Sequence, residues 1–182
     1  MNGEQATAHV LSKLSELGID HMLVGAFSSN AYGVPRATKD ADIVVEFKDV
    51  SVAEFCSHLN PGFSLDHQMM LEGFTGSTRN VVTHVESGFD IELFRLGDDA
   101  HHQKRFARKQ RHVVAELNVE TWIPAVEDVI IQKLRWARRK DLDDVVNVLS
   151  VSGRNLDWEY LRHWTDQHGT TELLDQLRNE AL

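Results

Sequence analysis

Two aspartates, Asp40 and Asp42, stand two positions apart at the head of the apolar run Ile43-Val44-Val45. In an extended strand alternate side chains leave the same face, so the two carboxylates project together. A pair of hard oxygen ligands suits Mg²⁺ (or Mn²⁺), with phosphate and water in the remaining positions of the ion. Ahead of the pair, Gly25 closes another apolar run, His21-Met22-Leu23-Val24. A glycine at a strand end lets the backbone approach an anion, and a helix starting there offers free N–H groups and a positive dipole end. Ser28 and Ser29 add hydroxyl donors to that turn. A third carboxylate comes from Phe89-Asp90-Ile91-Glu92-Leu93-Phe94, in which Asp90 and Glu92 share one face. Two divalent ions on such a set would clamp the attacking and leaving oxygens of a phosphoryl displacement. Singly, each feature has an ordinary explanation: a common Asp-x-Asp pair, a turn glycine, a solvated strand face. A purely structural surface does not account for their order along the chain.

The scaffold that must position these groups is readable from hydrophobic spacing. Val10, Leu11, Leu14 and Leu17 mark a helix over residues 4–17 with Gly18 as its stop. A strand over 21–24 leads into a short helix over 26–32, closed by Gly33 with Pro35 beyond it. A strand over 43–47 follows, then a helix carrying Val52, Phe55, Cys56 and Leu59 on one face, ended by Asn60-Pro61-Gly62. Strands over 80–86 and 89–95 form a hairpin across Ser87-Gly88, and 111–116 reads as a further strand. From Pro124 onward the periods are helical: Ile130, Leu134 and Ala137; then Leu142, Val145, Val146 and Leu149; then 156–164 and 171–177. Alternation followed by helices alone implies an α/β (α+β) core over residues 1–120 and a helical C-terminal region over 121–182 packed on it.

The stretch Gly25 through Asp42 resembles the nucleotidyltransferase superfamily that includes DNA polymerase β, and in particular bacterial AbiEii-type and minimal nucleotidyltransferase-like proteins. Their pattern is a Gly-Gly or Gly-Ser turn followed by Tyr-Gly-x-x-Arg-x-Thr-x-Asp-x-Asp. Here Tyr32-Gly33-Val34-Pro35-Arg36-Ala37-Thr38-Lys39-Asp40-Ala41-Asp42 fits it. Pro124 through Leu134 is similar to the family's Pro-x-x-Asp-lysine-leucine helix. Arg139-Lys140-Asp141-x-x-Asp144 is similar to its Arg-x-Lys-Asp-x-x-Asp run with one residue missing. The likeness spans residues 23–149. It implies a mixed β-sheet flanked by helices and a metal-dependent transfer of a nucleoside monophosphate from NTP to an acceptor (RNA, protein or small molecule), with pyrophosphate leaving. It places Gly25 and Ser28 near the triphosphate, Asp40 and Asp42 on Mg²⁺, and Asp90 as the third carboxylate, assisting deprotonation of the acceptor. Lys133 and Arg36 become triphosphate contacts. The departure is Ala26, where the family has Gly or Ser. It keeps a second reading open: a nucleotidyltransferase-like binding protein of weak or absent activity, such as an antitoxin-type partner.

Composition narrows the remaining classes. With 19 Lys+Arg against 28 Asp+Glu in 182 residues, the formal charge is −9, which disfavours a broad electrostatic grip on nucleic acid. Two basic runs, Lys104 to Arg111 and Lys133 to Lys140, could still face RNA with Trp136 for stacking, or pair with Asp141, Asp143 and Asp144 as solvated helix faces. The lone Cys56 excludes an intramolecular disulfide and a cysteine-rich zinc site. His101-His102 reads as a surface loop beside Asp98 and Asp99, and the four tryptophans as packing for the C-terminal helices. No run approaches the roughly 20 apolar residues of a membrane span, and the first ten residues lack the order of a secretory signal, so a cytoplasmic location is expected.

Overall fold

A computed structural model describes residues 1–71, 73 and 76–181. Helix α1 (Gly3–Glu16) begins with a capping box: Asn2 accepts from the Gln5 N–H at 2.8 Å, and the Gln5 side chain accepts from the Asn2 N–H at 3.0 Å. Its apolar face, Ala6, Val10, Leu11 and Leu14, is buried against the sheet. The chain continues through β1 (Asp20–Val24), α2 (Gly25–Tyr32), β2 (Asp40–Glu46) and α3 (Val52–Ser57), then β3 (Phe63–Leu65) and β4 (Met70–Leu71). β5 (Thr78–His84), β6 (Phe89–Arg95), α4 (Ala100–Ala107), and the ribbon β7 (Gln110–Val114) and β8 (Val119–Ile123) follow. The remainder is helical: α5 (Val126–Trp136), α6 (Arg139–Ser152), a 3₁₀ turn at Gly153–Asn155, α7 (Trp158–His168) and α8 (Thr171–Ala181).

Among the described residues the main sheet has the order β1-β2-β6-β5-β3, with β4 also on β5, while β7 and β8 pair separately. β2 and β6 are parallel and the other pairs antiparallel. This is the mixed α/β architecture expected, with helices closing the chain. β2 starts at Asp40, three residues earlier than the apolar run suggests, because Asp40 and Asp42 themselves enter the parallel ladder opposite Asp90 and Glu92.

Alternation then divides the residues between two faces. Ala41, Ile43, Val45, Ile91 and Leu93 enter the principal core with α1 and α3, where Cys56 also packs. Asp40, Asp42 and Val44, with Asp90, Glu92 and Phe94, take the opposite face. There Met22, Val24, Val44, Phe94 and Phe106 form a small apolar floor, and α4 and α5 cover its deeper part. A third cluster joins Ile130, Ile131 and Leu134 of α5 to Val145, Val148 and Leu149 of α6 and to Leu161, Trp164, Leu174 and Leu177.

One expectation fails outright. His101 and His102 are not in a surface loop: Asp99 caps α4 by accepting from the His102 N–H at 3.0 Å, and both imidazoles are buried. Asp128 of α5 holds His101 Nε2 at 3.0 Å and accepts from the Tyr160 hydroxyl at 2.7 Å, while Arg135 forms a two-pronged pair with Asp99. Polar contacts from distant elements make this helix. Ala137, expected inside a helical stripe, is instead the left-handed cap of α5 with φ 49°. Two tryptophans depart from C-terminal packing: Trp122 lies on β8 under Lys109 and Arg111, and Trp136 borders the carboxylate face.

Candidate active site

The parallel ladder sets the geometry of the acidic face. Asp40 lies level with Asp90, and one row deeper Asp42 lies between Val24 of β1 and Glu92 of β6. Asp40, Asp42, Glu92, Arg79, Phe94, Trp136, Arg138 and Lys140 border a cleft of about 400 Å³. Thr38 donates to an Asp40 carboxylate oxygen at 2.9 Å, which fixes that side chain beside the turn leading into β2. Arg79 donates to Glu92 at 2.7 Å. Asp90 is exposed at the start of β6 and does not line that cleft; the Thr83 hydroxyl donates to it at 2.6 Å.

Gly25 is required on two counts. Its φ is +64°, and a Cβ there would lie 2.0 Å from Asp42 Oδ2. The first residue of α2 therefore sits directly against the carboxylate, and no side chain caps that helix start. Burial, followed by the neighbouring charges of Asp40 and Glu92, pushes Asp42 up to about 7. Burial also raises Glu92, partly offset by Arg79. Lys133 and Lys140 offset part of the Asp42 shift, but among the described residues no cation lies within ion-pair distance of Asp40 or Asp42.

The other residues singled out in the sequence fall around this centre in distinct ways. Ser28 borders a second, narrower cavity together with Gly25 and Lys133, and its hydroxyl donates to the Gly25 carbonyl at 2.9 Å. Ser29 is buried, donating to the Ala26 carbonyl at 3.0 Å and to Asp144 at 3.3 Å. Arg36 borders neither cavity; it grips Asp144 with Nε at 2.6 Å and Nη2 at 2.9 Å. Lys133 Nζ lies 2.7 Å from Asp144 and 3.2 Å from Asp141, and Arg138 completes the chain on Asp141 at 2.6 Å. Burial works to raise Asp144, but the Arg36 and Lys133 hydrogen bonds hold it below the usual carboxylate range.

The basic runs are similarly occupied. Arg108 pairs with Glu127, Lys109 with Asp20, Arg111 with Glu120 and Arg135 with Asp99. Arg105, in contrast, faces inward from α4 with Phe106 and is buried, which a basic residue type in a cationic run does not suggest.

A divalent cation can be tested against this donor set. The residues fit one in part: Asp40 and Asp42 share a face, lie level with two further carboxylates and are short of positive charge. Among the described residues no group of three or more acidic, imidazole or thiol side chains converges closely enough to hold an ion unaided. Mg²⁺ commonly takes only one or two protein carboxylates and fills its shell with water and substrate phosphate, so a two-carboxylate platform suits it.

A glycine turn against an Asp-x-Asp strand, flanked by a parallel acidic strand and backed by helices, is a nucleotidyltransferase-like fold. An antigenic nucleotidyltransferase-like protein from Paracoccidioides brasiliensis superposes with a TM-score of 0.61 at 14% identity, covering 97% of this chain and 92% of that one. JHP933 from Helicobacter pylori gives 0.53 at 15% identity, covering 98% and 78%. ANT(2'')-Ia, solved in complex with adenylyl-2''-tobramycin, gives 0.50 at 14% identity, covering 98% and 95%. Residues 19–182 match the family described as nucleotidyltransferase of unknown function (DUF6036), and the chain belongs to that family. No curated protein sequence matches it. Among the described residues no helix is long and apolar enough to cross a membrane.

Proposed function

We propose that this protein transfers a nucleoside monophosphate from an NTP to a hydroxyl-bearing acceptor, with Asp40 and Asp42 as ligands for Mg²⁺. The observation that carries this reading is the wedge of Gly25 against Asp42: it brings an uncapped helix start, suited to phosphate, against a carboxylate short of positive charge. The cation would supply charge neutralisation at the triphosphate. The protein's own groups position the reactants. The acceptor oxygen forms a bond to the α-phosphorus as the bond to the bridging oxygen breaks, pyrophosphate departs, and the acceptor proton passes to a carboxylate. Asp90, level with Asp40 on the parallel ladder, exposed and free of a cationic partner among the described residues, is the carboxylate assigned that role. Glu92, already neutralised by Arg79, lies beneath it and shapes the field. Catalysis of this kind rests on placement and electrostatics rather than on a covalent intermediate.

The departure at Ala26 has little consequence in this geometry. Ala26 is buried in the first turn of α2, and Ser28, rather than Ala26, borders the inner cavity. This favours an enzyme over an inactive binding partner of the antitoxin type. Because most cations in the two basic runs already have acidic partners, a small molecule or a protein fits the acceptor role better than RNA. Incubation with α-labelled NTP, Mg²⁺, and pooled RNA, protein and metabolite acceptors tests the reading. Label is expected in an acceptor; absence of transfer together with absence of Mg²⁺-dependent NTP binding by calorimetry rejects it.

A further inference from the structure

Beside the carboxylate cleft, and sharing Phe94 and Trp136 with it, lies a narrower cavity of about 30 Å³ between the sheet and helices α4 and α5. Its walls are largely apolar, from Val24, Val44, Phe94, Leu96 and Val129, and Gly25 and Ser28 also line it. Four polar side chains on its lining have buried atoms with no hydrogen-bond partner: His102 Nε2, Arg105 Nε, Gln132 Oε1 and Trp136 Nε1. Arg105 is 6% exposed, and no carboxylate lies within ion-pair distance of it among the described residues. Buried polar atoms without partners are costly, and a buried unpaired cation more so, unless a ligand completes them.

The donor inventory defines that ligand. Guanidinium and indole N–H groups can only donate. Burial, then the nearby Arg105 charge, lowers His102 to about 3, so its imidazole is neutral and can present Nε2–H. The Gln132 amide turned about its last bond offers its NH₂ to the same space. Three donors, one of them cationic, beside an amide that can turn to present a fourth, call for an acceptor-rich anion. A cavity of about 30 Å³ selects for a small polar group over a nucleobase.

We propose that this cavity seats the terminal phosphate of the donor nucleotide, with Arg105 as its buried counter-ion. The proposal rests on the nucleotidyltransferase reading and adds α4, an element outside the sequence motif, to the binding machinery. The uncapped start of α2, Arg105 and Trp136 all border the cavity, so backbone N–H groups, a guanidinium and an indole N–H are available to the phosphate. An NTP then fills the cavity while an NDP leaves Arg105 unmatched, so donor choice depends on the third phosphate.

Calorimetry with NTP, NDP and inorganic tripolyphosphate on the full chain tests this, comparing wild type, Arg105→Met, Arg105→Lys and Trp136→Phe. Wild type is expected to bind NTP at least tenfold more tightly than NDP. Arg105→Met should abolish that preference and weaken tripolyphosphate at least tenfold, with NDP affinity unchanged, and Arg105→Lys should restore part of both. Trp136→Phe, which keeps an aromatic ring and loses one donor, should weaken NTP several-fold and so tests the cavity should Arg105→Met fail to fold. Equal NTP and tripolyphosphate affinities in wild type and a folded Arg105→Met variant overturn the assignment while leaving the transferase reading intact. Arg105-dependent binding of tripolyphosphate without any NTP binding supports an oxyanion pocket and rejects the transferase reading instead.

Discussion

Two groups of acidic residues lie a short distance apart in this molecule and differ in one respect: whether cations match them. Asp141 and Asp144 of α6 are buried and meet Arg36, Lys133 and Arg138 at hydrogen-bond distance. Asp40 and Asp42 share a face with two more carboxylates, and the nearest fixed pair there is Arg79 on Glu92. The consequence appears in Asp42, pushed up to about 7, and in Asp144, held low. A matched carboxylate ties helices together; an unmatched one costs stability and is kept for what it binds. Substitutions on the two sides should therefore fail in opposite ways.

The largest contrast is expected from Asp42→Asn. Removing a charge that faces Asp40 and Glu92 should leave the melting temperature unchanged or raised. Label transfer should fall by at least about 10³-fold, since the cation loses a fixed ligand. A variant that transfers label at the wild-type rate would remove Asp42 from the metal site. Asp144→Ala should do the reverse. It leaves Lys133 buried beside one carboxylate instead of two and frees Arg36, and removal of one partner from such a buried cluster costs about 3–5 kcal/mol. Urea titration measures that loss, and a stability within experimental error of wild type would break the comparison from the structural side.

Within the acidic face the two candidates on β6 can be separated. Asp90→Asn should lower the rate by about 10²-fold with nucleotide binding retained, in keeping with a proton-transfer role. Glu92→Gln, which releases Arg79 but leaves the other carboxylates in place, should change the rate less than tenfold. Initial rates at saturating NTP decide between them, and the inverse ranking would transfer the role from Asp90 to Glu92.

The acidic face was legible in the sequence because its logic is local. Gly25, Asp40 and Asp42 lie within one strand–helix–strand stretch, and the period-2 pattern of residues 89–95 places Asp90 and Glu92 together before any tertiary information is used. The matched set was not legible in the same way. Arg36 and Lys133 look like free phosphate contacts until Asp144 appears beside both, 108 and 11 residues along the chain. Helix α4 was hidden for a related reason: its buried face includes His101, His102 and Arg105, residue types that read as surface, and its partners Asp128 and Arg135 come from α5. β3 and β4, at three and two residues, are too short to carry a periodic signal, and their pairing on β5 alone defines them.

Helix α4 offers a third kind of buried polar region, in which His101 has a carboxylate partner in Asp128 while His102 Nε2 is buried without one, and its response to acid extends the contrast. Burial lowers His102 to about 3 and His168 to about 4. In the unfolded chain both titrate near 6.5, so between these limits the unfolded state binds more protons than the folded one. The stability they contribute is complete above about pH 6.5. It declines as pH falls, by up to about 1.4 kcal/mol per pH unit for the buried His102 and by less for the partly exposed His168, which solvent screens, and the decline ends only once the folded values are passed. Matched carboxylates such as Asp144, whose unfolded counterparts titrate near 4, lose their contribution in a more acidic window. Thermal melts between pH 7.5 and 5 should therefore show a falling midpoint in wild type and a shallower fall in His102→Gln. An unchanged midpoint across that range would mean that His102 of α4 and His168 of α7 are not held neutral by burial.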